Sequence, residues 1–236
     1  METNNFNFVQ SQGDSTTASK TFVANVFSWM FLALVITAIT SYLFGTNLQL
    51  LSLLISENGL TGLGYVALFS PIAFVLVINF GMDRLSFPAI VALFAAYSIM
   101  MGMSLSFIFL IYAHAFIFQT FLITAGTFGA MAVLGYTTKT DLTKFGMILM
   151  MALFGVILAS IVMIFTGGST FLIDCLCVFI FTGLTAFKVQ MLKNLGATAS
   201  VDTEQGRKLA VWGAMSLYIT FINLFLTLLR LFGGRR

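Results

Sequence analysis

Long apolar runs alternate with short polar interruptions along this chain, and the length of those runs is its first signal. A helix needs about 20 apolar residues to cross a hydrocarbon layer of ~30 Å. Seven runs approach that length: 21–44, 63–80, 89–112, 116–136, 145–165, 170–192 and 209–232. The pattern predicts an all-α, polytopic membrane protein with seven transmembrane helices in a single domain, 21–236, behind a flexible polar tail, 1–20. The narrowest division is YAHA at 112–115, which predicts a tight helical hairpin with His114 at its turn. LQLLSLLISENG at 48–59 is too short to cross and too apolar for a solvated loop, so it is expected to lie in or dip into the interface.

Composition supports this picture. Of 236 residues, 59% are hydrophobic and only 8% charged, whereas a soluble domain carries about 25% charged residues. A net charge of +3 with no basic run gives no nucleic-acid surface. The polar start lacks a basic region and a small-residue cleavage site, so it does not read as a signal peptide. Lys and Arg in the interruptions set the orientation. With the N-terminus cytoplasmic and seven spans, the inner side receives Lys20, Arg84, Lys139, Lys144, Lys188, Lys193, Arg207 and Lys208. The outer side receives Arg230, Arg235 and Arg236, a distribution that favours N-inside. No retention tail of the KDEL or dilysine kind is present, which inclines the expected location towards a bacterial inner membrane.

Polar residues inside a span face other helices or a wet cavity. In the last span, Ser216, Thr220, Asn223, Thr227 and Arg230 recur at spacings of three and four, on one face of an otherwise apolar helix. They read as the lining of a polar seam; the alternative is interhelical hydrogen bonding alone, with Thr227 the member best explained that way. In the sixth span Asp174, Thr185 and Lys188 share a face. Asp174 and Lys188 lie fourteen residues apart, about 21 Å, and cannot pair. Lys188 could alternatively snorkel to the headgroups. Gly126, Gly129 and Ala130, with Gly155 and Ala159, suit close helix packing.

Enzyme chemistry finds no constellation. The seventh span has no mid-membrane lysine for a retinal Schiff base, and Asp174 has no acidic partner within the spans. Cys175 and Cys177 point to different sides of a helix, and His114 is the only histidine, so no metal site or cofactor is expected.

The stretches MGMSLSFIFLIY, TFLITAGTFGAMAVLGYTTKTDL, FTGLTAFKVQ and LYITFINLFLTLLRLFG, in that order, resemble the transmembrane Bax inhibitor motif family, the Bax inhibitor/YccA type, along nearly the whole chain after residue 20. The resemblance implies a seven-helix fold with the C-terminal helix central and a pH-modulated calcium leak channel, together with suppression of cell death in eukaryotes. It also implies a hydrogen-bonded pair of aspartates, one from the sixth helix and one from the seventh, with a basic residue of the second helix as partner. Here those acid positions hold Lys188 and Thr220, and the basic position matches Arg84. Lysine and threonine cannot share a proton as two acids do. An ammonium 4 Å from a calcium ion repels it by about 8 kcal/mol at an effective dielectric of ~20. The expected gate or seam residues are therefore Lys188, Thr220, Arg84, Asp83 and Asn223, with Asp83 a candidate counter-ion for Lys188. Membrane lipids are the expected surroundings, and calcium or another cation the cargo the resemblance implies. The alternative is a non-conducting scaffold that acts through protein partners.

Overall fold

The computed structural model describes residues 3–56, 59–81, 84–166, 171–199 and 202–233, with side chains from Thr17 onward except those of Asn79 and Ile164. Nine helices and one two-stranded hairpin are present among these residues. Helix α1 is Thr3–Thr46, α2 Leu48–Ser52, β1 Ile55–Ser56, β2 Gly59–Leu60 and α3 Gly62–Gly81. They are followed by α4 Phe87–Leu105, α5 Ile108–Ile111, α6 His114–Thr137, α7 Thr143–Thr166, α8 Phe171–Gly196 and α9 Glu204–Phe232.

Six helical segments among the described residues are long and apolar enough to cross a membrane: Thr17–Thr46, Phe87–Ile111, His114–Thr137, Thr143–Met163, Phe171–Gly196 and Glu204–Phe232. The run expected as the second span forms α3, a helix of 20 residues, Gly62–Gly81. The protein is thus an all-α integral membrane protein. Its C-terminal helix is the most enclosed, with 67% of its apolar window buried against 11% for α7. The expected interfacial segment 48–59 folds as α2 and the start of the hairpin, in which Ile55 pairs with Leu60. Gly59 there has φ 115°, a left-handed conformation suited to glycine. Ala113 alone separates the extended Tyr112 from His114, which opens α6.

The chain divides into two compact units, one comprising residues 1–24, 118–200 and 216–233 and the other 25–117, 201–215 and 234–236. In the second, α3 and α4 pack together. Pro71 sits inside α3 and has no N–H for the carbonyl of Ala67, four residues back. That carbonyl accepts hydrogen bonds from Ser104 of α4 and from Ser70, the latter at 3.3 Å. In lipid such a freed carbonyl has no water to turn to, so a neighbouring hydroxyl is what makes the proline tolerable. Gly102 of α4 lies against α1: an added Cβ would come within 2.8 Å of the Thr37 carbonyl. The Thr37 hydroxyl lies 2.9 Å from the carbonyl oxygen of Ser98. At the other end of the unit, the Glu204 carboxylate accepts from the Phe87 N–H at 3.3 Å and pairs with Lys208 at 3.0 Å.

In the first unit α7 packs on α8, and small residues set the approach. A Cβ at Gly135 of α6 would fall 2.2 Å from the Ala186 carbonyl oxygen of α8. At Gly146 of α7 it would strike the Phe187 ring at 2.3 Å, and at Gly183 of α8 it would strike Leu149 at 2.5 Å. The glycines expected to mediate packing do not: Gly126, Gly129 and Gly155 face open space, and Ala130 and Ala159 are exposed as well. Those spacings were real, but they lie on the outward side of their helices. The buried line of α6 is Thr120, Thr124, Phe128, Ala132 and Gly135.

Candidate functional site

Helices α8 and α9 carry Lys188, Thr220 and Asn223, and their ends suit their charges. Asp174 lies in the first turn of α8, and Arg230 in the last turn of α9. Each sits where the helix dipole favours its sign. Arg230 Nε donates to Asp174 Oδ1 at 3.0 Å, with the Asp174 side chain 7% exposed and that of Arg230 51%. The two residues that cannot reach each other along α8, Asp174 and Lys188, are therefore both engaged by α9.

Lys188 reaches α9 at the other end of that face. Its ammonium donates to the Thr220 hydroxyl at 2.8 Å and to the Ser216 carbonyl at 3.1 Å. The Thr220 hydroxyl in turn donates to the same carbonyl at 2.9 Å. The result is a compact triangle of one ammonium and two neutral oxygens. No carboxylate stands within 4.0 Å of the ammonium among the described residues. Lys188 does not snorkel; it lies against the last helix.

The line expected along α9 is only partly a seam lining. Between Val211 and Leu229 the positions left incompletely buried are Trp212, Ser216, Ile219, Asn223 and Leu226. Ser216 and Asn223 share that more open line, and their side-chain polar atoms have no hydrogen-bond partner among the described residues. Thr220 and Thr227 are buried and bond back to the carbonyls four residues earlier, at 2.9 and 2.7 Å. Arg84 is exposed in the segment between α3 and α4, where its N–H donates to the Gly81 carbonyl at 3.0 Å. Asp83 lies outside the described residues.

Beside the site, Gln190 escaped the sequence reading and Lys193 was read only as an inner-side charge. Gln190, one turn-half beyond Lys188, is buried and clasps the α6–α7 loop. Its amide nitrogen donates to the Thr140 carbonyl at 2.7 Å, and its oxygen accepts from the Leu142 N–H at 2.8 Å. Lys193 donates to the Tyr136 carbonyl at 2.7 Å and lies 5.0 Å from the centre of that ring. The available signal for Gln190 was an amide within apolar sequence, a group that demands partners in lipid. Among the described residues no three of His, Cys, Asp and Glu gather as a metal site would require.

A family model described as inhibitor of apoptosis-promoting Bax1 matches residues 19–236. The chain belongs to the Bax inhibitor family. Among its relatives is the inner membrane protein YbhL of Escherichia coli K12, 40% identical over 221 residues, 92% of this chain and 93% of that one. An uncharacterized protein of Borreliella burgdorferi is 42% identical over 217 residues, 91% and 92% of the two chains. A Rickettsia prowazekii protein, RP147, is 35% identical over 231 residues, 94% and 96%. The family match covers both α8 and α9, and with them the Lys188–Thr220 contact.

Proposed function

We propose that this protein is a seven-span ion-leak protein of the Bax inhibitor type whose proton- and calcium-sensing pair has been replaced by Lys188 and Thr220. Helix α3 supplies the remaining span, the N-terminus is cytoplasmic, and the membrane is a bacterial inner membrane, as the name of the Escherichia coli relative suggests. The observation that carries the reading is the 2.8 Å contact between Lys188 and Thr220. The two positions where the resemblance expects partnered acids meet each other, which supports an inherited site with altered chemistry. A fixed ammonium there opposes calcium, and a hydroxyl does not titrate near neutral pH.

Calcium flux from proteoliposomes at pH 6 and pH 8 tests it. The expected result is flux without a step between the two pH values. A steep pH response would overturn the altered sensor, and no flux at either pH would favour the non-conducting scaffold. The Lys188→Asp/Thr220→Asp double variant is expected to acquire pH-dependent flux, because two acids so close titrate as a coupled pair.

A further inference from the structure

The ammonium of Lys188 has three N–H groups, and only two have acceptors among the described residues: the Ser216 carbonyl and the Thr220 hydroxyl. Both acceptors are neutral. A charge removed from water is retained at low cost only when a counter-charge or several hydrogen bonds compensate it. The two salt bridges among the described residues, Asp174–Arg230 and Glu204–Lys208, leave Lys188 out. Its surroundings on α9 hold a further donor whose side chain makes no hydrogen bond among the described residues. The Ser216 hydroxyl belongs to the same residue whose carbonyl Lys188 already touches. The Asn223 amide lies seven residues on, about 10.5 Å along the helix, too far to share one small ion with it.

We propose that this part of the α8–α9 seam binds a small inorganic monovalent anion of the chloride class, held by the Lys188 ammonium with the Ser216 hydroxyl as a further donor. A cation is disfavoured there for the reason an anion is favoured. A lipid phosphate would have to come to the ammonium where it lies, and the lipid arm of the test separates that source from a free ion. Lys188 is held in place by α9, so it cannot extend to the headgroup level without losing both its hydrogen bonds. The inference rests on the seam reading above but not on conduction, and it deepens that reading by naming the class of ion the seam favours.

The test is anion-dependent stability of the purified full-length protein in uncharged detergent, with sodium chloride exchanged for sodium gluconate at constant ionic strength. Chloride at about ten times its dissociation constant should raise the unfolding midpoint by about 3–6 °C. Lys188→Met should abolish that response, while Lys188→Arg, which keeps the charge, should retain it. A response restored only by adding anionic lipid in gluconate would replace the proposal with a headgroup site. Equal chloride responses in the wild type and Lys188→Met, or none in the wild type, would overturn it. Halide flux in proteoliposomes is read separately. Chloride-specific stabilisation that depends on Lys188 supports the anion site even where no ion crosses, and then only the leak reading fails.

Discussion

Arg230 holds the buried carboxylate of Asp174 through its Nε at 3.0 Å, so the last turn of the last helix is fastened to the first turn of the helix before it. The Arg230 side chain is 51% exposed and gives up little hydration, whereas that of Asp174 is 7% exposed. Arg230→Met is expected to destabilise the protein by about 2–4 kcal/mol, because it leaves a carboxylate buried and unpaired. Asp174→Asn, which removes that charge, should cost less and should largely suppress the effect of Arg230→Met when the two are combined. Thermal unfolding of the single and double variants in detergent measures the coupling, and strict additivity would refute it.

Glycine substitutions should separate the inward from the outward face of α6. Gly135→Ala places a methyl against the Ala186 backbone, which cannot rotate away, and is expected to cost about 1–3 kcal/mol or more. Gly126→Ala meets open space and should be neutral or stabilising by up to about 1 kcal/mol through helix propensity. The ordering of the two midpoints is the measurement.

Gln190→Leu keeps the bulk but removes both hydrogen bonds to the α6–α7 loop. The Thr140 carbonyl and Leu142 N–H then lose their partner, at a cost of about 1–3 kcal/mol. Faster hydrogen exchange at Leu142, or proteolytic cleavage within residues 138–142 that the wild type resists, is the expected readout. Unchanged exchange would show that the loop is held by other means.

Asp141 supplies a pH dependence outside the spans. The Thr143 hydroxyl, at 2.6 Å, and then the Thr143 N–H, at 2.9 Å, hold its carboxyl below the ordinary carboxylate range. A depressed carboxylate stabilises the folded state above its unfolded pKa of about 3.9, and that contribution disappears as pH falls through the folded value. Asp141→Asn should lower stability near neutrality, where that contribution is fully present, and flatten the acid limb below about pH 4, so that variant and wild type converge at low pH. An identical acid limb in the variant would remove Asp141 from the account.

Sequence patterns located the helices well because run length and flanking polarity are local properties. The expected spans 116–136 and 145–165 fall within α6 and α7, and the division at YAHA is the α5–α6 break. The candidate site was half legible. Lys188 and Thr220 were named from motif positions, and they touch. Thr227 was expected to hydrogen-bond between helices, but its hydroxyl donates to the Asn223 carbonyl of its own helix. The glycine spacings misled because equal spacing occurs on both sides of α6. Gln190 went unnoticed because its two partners lie 50 and 48 residues away in a loop.

The sequence by itself determined that this chain resides in lipid, roughly where its helices run, and which residue types replaced the expected acids. Those follow from transfer free energies and helical rise, which add up residue by residue. Only the tertiary structure decided which face of each helix meets protein, that Lys188 lies on α9, and that Arg230 closes over Asp174. Lipid tails are as apolar as leucine, so a membrane helix carries no hydrophobic stripe to mark its inner side. Steric fit and scattered polar contacts between distant residues make that choice.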